Sequence, residues 1–127
     1  ALLLAKQEVD FNKYQAAEKQ LNWVVENSRS KSFKQLSKLR LSRIYLYQRH
    51  YKEALAQLNY VDDLLFNSLI SEAKGDVYFA EGLNKKASKF YNSALEQLPN
   101  PALASKELRM KLNSVSNNLH ELQHAHA

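Results

Sequence analysis

Three histidines crowd the end of the chain, His120, His124 and His126. His120 and His124 stand four positions apart, the spacing that puts two imidazoles on one helix face and suits a transition metal. A polar, frayed terminus carries the same residues, and the expectation here is no metal site. Asp62-Asp63 is the only adjacent acidic pair. Neighbouring helix positions diverge by about 100°, so the pair reads as a helix end and a solvated turn, not an acid–base couple. His50 reads as a structural turn residue. Cysteine is absent, which removes thiol catalysis, disulfides and cysteine zinc sites together. No Gly-x-Ser-x-Gly, phosphate-binding glycine loop or His-Glu-x-x-His occurs. The chain is therefore expected to have no catalytic residues, no metal and no cofactor.

The 127 residues suit one domain with a single core, and a composition of 45% hydrophobic and 24% charged residues is that of a globular protein. Two Gly and two Pro in the whole chain are too few for the turns of a β-sandwich or a dinucleotide-binding fold. No apolar run reaches the length of a membrane span. The apolar start, residues 1–5, lacks the basic region and length of a signal peptide and reads as a beginning inside or just before a helix. The net charge is +5, and between Asn27 and Lys52 there are eight Lys/Arg and no acid. On a helix, Lys31, Lys34, Lys38 and Arg49 share one side, whereas Arg40 and Arg43 lie on another. A nucleic-acid reader gathers such charge into one stripe. Two solvated faces are expected instead, with no nucleic-acid partner.

The elements that position these side chains repeat. YQAAEKQLNWV (14–24) and YKEALAQLNYV (51–61) are identical at six of eleven positions. A weaker third copy continues the column with Ala87, Tyr91 and Ala94. Ala17, Ala54 and Ala87 are spaced by 37 and then 33 residues, the period of a helix–turn–helix array. Each copy follows another helical pattern: Leu36, Leu39, Ile44 and Leu46 in one, Leu69, Ile70, Ala73, Val77 and Tyr78 in the next. Turns are expected at Asn12, Arg49-His50 and Gly82. Gly and Asn suit the left-handed residue that ends a helix, and Arg49-His50 suits it less. Pro99 stops a helix, and Asn100-Pro101 is an N-cap and first-turn pair. A last helix carries Leu108, Leu112, Val115, Leu119 and Leu122 in one stripe. The periodicity predicts a helix remnant, five full helices and a terminal helix.

Gly75, Tyr78, Ala87, Tyr91, Ala94 and Pro99 stand at the spacing of the tetratricopeptide signature, and the chain resembles that family. Ser42, Tyr45, Ala54, Leu58 and Val61 take the equivalent places one repeat earlier. In the first repeat Ala5 holds the small position, with Glu8 at the aromatic one. Lys38 and Ser71 replace the tryptophan usual near the start of the first helix. The resemblance implies an all-α, tetratricopeptide-repeat-like right-handed helical solenoid, about three repeats plus a C-terminal capping helix. It is expected as one domain over 1–127, with repeat helices near 1–27, 32–64 and 68–98 and a terminal helix near 101–123. The small residues let paired helices approach, and the tyrosines fill the space around them.

Whole phrases carry a narrower resemblance. EVDFNKYQAAEKQLNWVVENS, LSKLRLSRIYLYQRHYKEALAQLNYV, SEAKGDVYFAEGLNKKASKFYNSAL and RMKLNSV are similar to the periplasmic domain of the YfgM family, the ancillary subunit of the SecYEG translocon. That resemblance implies a bacterial inner-membrane protein with its domain facing the periplasm. Its implied partners are translocon components, a membrane-anchored periplasmic chaperone and unfolded exported chains. The family's N-terminal membrane anchor is not in this sequence. A tetratricopeptide adaptor of an unrelated complex is the alternative, and a nucleic-acid-binding helical domain the third reading.

In tetratricopeptide arrays the first helix of each pair lines the inner surface. Carried over, that places Leu36, Leu39, Arg40, Arg43, Leu46 and Tyr47 in a protein-binding groove, joined by Leu69, Glu72, Asp76 and Phe79. Apolar anchors flanked by Arg and by acids suit polypeptide ligands. Arg43 paired with Asp76 or Glu72, and leucines serving as core, would be the purely structural use of the same residues.

Overall fold

Two side-chain caps decide where the longest internal helices begin. Ser30 Oγ accepts from Phe33 N at 3.3 Å, and Asp63 Oδ1 accepts from Phe66 N at 3.1 Å. Each satisfies an amide that has no partner inside its helix. In the computed structural model, which describes the backbone of residues 2–125 and the side chains of residues 10–118, the elements are all helical. They are α1 (Leu2–Asn27), α2 (Lys31–Tyr47), α3 (Tyr51–Ala56), α4 (Leu64–Ala80), α5 (Asn84–Glu96) and α6 (Lys106–Ala125), with a one-turn 3-10 helix at Pro101–Leu103. Ala5, Glu8, Leu119, Leu122, His120, His124 and His126 lie outside the described side chains.

The chain forms two compact units, Ala1–Gln57 and Leu58–Ala127. In the first, α1 packs on α2 and α2 on α3; in the second, α4 packs on α5 and α5 on α6. The fold is all-α, made of tetratricopeptide-like helical hairpins.

Both internal hairpins turn in the same way. His50 N bonds to Tyr45 O and Arg49 N to Leu46 O; 33 residues later Leu83 N bonds to Tyr78 O and Gly82 N to Phe79 O. This paired closure satisfies the last carbonyls of α2 and α4 and needs a left-handed residue just past each helix. Gly82 supplies it at φ 81° and Arg49 at φ 63°. The less apt of the expected turns thus forms, with a residue that pays a steric cost there.

Other expectations are corrected. Asn12 is no turn: α1 runs through it unbroken, so the helix remnant and the helix after it are one. An interior Asn costs well under about 1 kcal/mol, less than breaking a continuous bonded ladder. The helix expected to run to residue 64 stops at Ala56. Asn67 instead holds the following loop, accepting from Val61 N at 2.8 Å and donating to Val61 O at 2.7 Å. Asp63, placed in a solvated turn by its sequence context, is the N-cap that starts α4 at Leu64 rather than Ser68. Asn100-Pro101 opens only the 3-10 turn. The terminal helix restarts after Ser105, whose Oγ accepts from Leu108 N at 3.0 Å.

The second unit's core is Ala87, Tyr91, Ala94, Ala104, Leu108 and Val115, with Tyr78, Leu95, Leu98 and Leu112 packed around it. Gly75 faces the Tyr91 ring so closely that no side chain fits between them. Tyr78 stacks on Phe90 with ring centroids 5.3 Å apart. In the first unit the buried side of α2 is Ser37, Leu41 and Ser42, and Ala54 of α3 is fully buried.

Candidate protein-binding surface

With Ser37, Leu41 and Ser42 turned inward, the residues between them must face elsewhere. Arg40, Arg43 and Tyr47 are exposed, Tyr47 at 57%. Leu36, Leu39 and Leu46 are half-buried, shielding the flank of the helix rather than filling the core. Arg40, Arg43 and Tyr47 follow at intervals of three and four, so one face of α2 carries two guanidinium groups and a phenol.

Tyr47 does not stand alone. Its ring lies 6.3 Å from that of Tyr14 on α1. Asp10, Phe11, Tyr14, Tyr47, Gln48 and His50 line a hollow of about 390 Å³ in the first unit. Gln48 Nε2 donates to Glu18 Oε1 at 2.5 Å and to Ile44 O at 3.2 Å, pinning the end of α2 to α1. The Tyr45 and His50 rings lie 6.4 Å apart across the turn.

In the second unit Leu69, Glu72, Asp76 and Phe79 form one stripe along α4, spaced three, four and three. Leu69 and Phe79 are exposed, at 50% and 39%. Glu72 and Asp76 are largely covered, because Lys111 of α6 reaches both, at 2.6 Å to Glu72 and 3.1 Å to Asp76. Asp76 also accepts from the Tyr91 hydroxyl at 2.7 Å. Both acids therefore have a partner from the terminal helix, where sequence reasoning set them against Arg43 as groove wall or stacking pair.

The electrostatics follow from that geometry. Burial, the Asp76 hydrogen bond and the nearby carboxylates push the Tyr91 phenol far above its ordinary value, so it stays a donor. Burial by itself would lower the Lys111 ammonium. Its hydrogen bonds and attraction to Glu72 and Asp76 outweigh that and raise it, so it stays charged.

Sequence reasoning missed the contribution of α6. Lys111, Met110 and Glu107 lie beside the α4 stripe, around a cleft they share with Phe79, Tyr91 and Ser114. A signal was present: Lys111 is a basic residue beside the Leu108, Leu112 and Val115 stripe, and a half-buried Lys requires acids. The contribution of α1 to the Tyr47 hollow was also unforeseen. Among the described residues no group of three or more His, Asp or Glu is placed to hold a metal, and no helix is long and apolar enough to cross a membrane.

Residues 1–117 match the family model described as a tetratricopeptide repeat-like domain. The chain is 37% identical over 114 residues to a Neisseria gonorrhoeae protein named ancillary SecYEG translocon subunit, covering 90% of this chain and 54% of that one. A Buchnera aphidicola protein of the same name is 28% identical over 116 residues, covering 91% and 59%. The chain thus spans a little over half the length of the curated relatives it matches. No solved structure matches it.

Proposed function

The chain belongs to the tetratricopeptide repeat-like domain family, and from that premise we propose that it is a non-catalytic docking domain for polypeptides within an ancillary subunit of the SecYEG translocon. The observation that carries the docking role is the exposure of Tyr47, Leu69 and Phe79 on helix faces that also bear charged side chains. Burying an aromatic side chain beside an Arg gives the kind of anchor that dominates protein interfaces. The translocon assignment is supported by the two relatives that carry that name. On this reading the domain faces the periplasm of a bacterial inner membrane. Its partners are translocon components, together with a membrane-anchored chaperone and exported chains that such a site would serve.

The test uses the full-length protein and detergent-solubilised SecYEG. Arg43→Glu puts a like charge against an acidic partner and weakens association without unfolding the domain. Tyr47→Ala removes an aromatic anchor and costs about 2 kcal/mol or more of binding. Wild-type helicity by circular dichroism, with capture lost in both variants, is the expected result. Undiminished capture by both would refute the assignment of the α2 face.

A further inference from the structure

The second half of α4 and the first turns of α6 enclose a cleft of about 290 Å³. Its walls are Phe79, Met110 and the Tyr91 ring, with Glu107, Lys111 and Ser114 beside them. That volume lies at the bottom of the range for ligand pockets, and it suits one large side chain better than a cofactor. Met110 is 57% exposed at its mouth, and an unbranched thioether adapts to apolar guests of differing shape. Along the same stripe of α4 stands the exposed Leu69, ten residues and about 15 Å from Phe79. Between the two apolar points lie Glu72 and Asp76. With Glu107 the face carries three carboxylates against the single ammonium of Lys111, on a chain whose net charge is +5.

We propose that this α4–α6 face docks a polypeptide segment bearing an Arg or Lys between two large apolar side chains. One apolar side chain enters the Phe79–Met110 cleft, the other covers Leu69, and the cation meets the excess negative charge of Glu72, Asp76 and Glu107 over Lys111. The 15 Å separation corresponds to about five residues of extended chain or about ten of helix. An acidic segment of the same shape is rejected by like charge. The inference rests on the docking reading above and specifies the chemistry of the occupant.

Fluorescence anisotropy with labelled synthetic peptides tests it, using two Phe flanking a central Arg at either separation. At least one peptide binds the wild-type chain, and replacing its Arg by Glu weakens binding by about fivefold or more. Replacing both Phe by Ser abolishes it. Met110→Lys, at an exposed position, weakens binding by at least about fivefold while helicity is unchanged. Equal affinity for the Arg and Glu peptides overturns the inference, as does binding unaffected by Met110→Lys. Failure to bind any peptide while SecYEG capture persists overturns it while sparing the docking reading, and loss of both sinks the two together.

Discussion

Gly75→Ala adds one methyl group at the closest approach of α4 and α5. An ideal Cβ there lies 2.5 Å from Cδ1 and 3.1 Å from Cγ of Tyr91, and nearer still to Cε1. The ring has little freedom to retreat. Tyr91 is 1% exposed, and its hydroxyl is tied at 2.7 Å to Asp76, which Lys111 holds in turn. Two effects oppose each other. Ala is better than Gly inside a helix by about 1 kcal/mol. Overpacking a close-packed core costs about 1–3 kcal/mol, and shifting the ring weakens a hydrogen bond to a charged acceptor worth about 1.5–3 kcal/mol. Steric cost wins, and the net loss is about 1–3 kcal/mol. Urea unfolding followed by circular dichroism measures it, with a midpoint that falls and a slope that is unchanged. In a Tyr91→Leu background the sign should move toward stabilisation, since the ring that collides is gone. A neutral or stabilising Gly75→Ala in the wild-type chain would refute the described contact and with it the pairing of α4 and α5.

Two further outcomes concern stability. Arg49→Gly relieves the left-handed strain at φ 63° and should stabilise by about 0.5–1 kcal/mol, whereas Gly82→Ala, at φ 81° with open space around it, should destabilise by about 1 kcal/mol; thermal melts that reverse either sign would remove the shared turn. Stability should also fall in alkali. Tyr91 and Lys111 are both raised in the folded chain from ordinary values of 10.0 and 10.5, so their contributions are intact below about pH 10 and decline as the unfolded chain loses protons first. Denaturant midpoints measured from pH 7 to 11 check this, and Tyr91→Phe should flatten the fall; a wild-type midpoint constant to pH 11 would contradict the buried cluster.

The helical repeat could be read along the chain because it depends on local spacing. Small residues at Ser42, Ala54, Gly75 and Ala87 recur where two helices must touch, and all four are buried. The boundaries were harder. Asn12, Arg49 and Asn100 each carry a propensity of under about 1–2 kcal/mol, which continuous helix bonding, a paired helix closure and the second cap at Ser105 overrode. Competition among nearby caps is settled by which amides find partners, and that depends on the path of the chain.

By itself, the sequence determined an all-α fold, the 33-residue period shared by the two internal hairpins, and which residues of α2 and of α4 share one helix face. Each follows from patterns between residues a few turns apart, where helix geometry maps spacing directly onto direction. Only the tertiary structure decided the partners of those faces. Lys111 lies 39 residues from Glu72 and 35 from Asp76, and Tyr14 meets Tyr47 from another helix. No periodicity records such pairings, because they arise from how α6 packs on α5 and α1 on α2. A charged groove wall inferred from one helix becomes, once its neighbour is in place, a half-covered rim whose two carboxylates share one ammonium beside an apolar cleft.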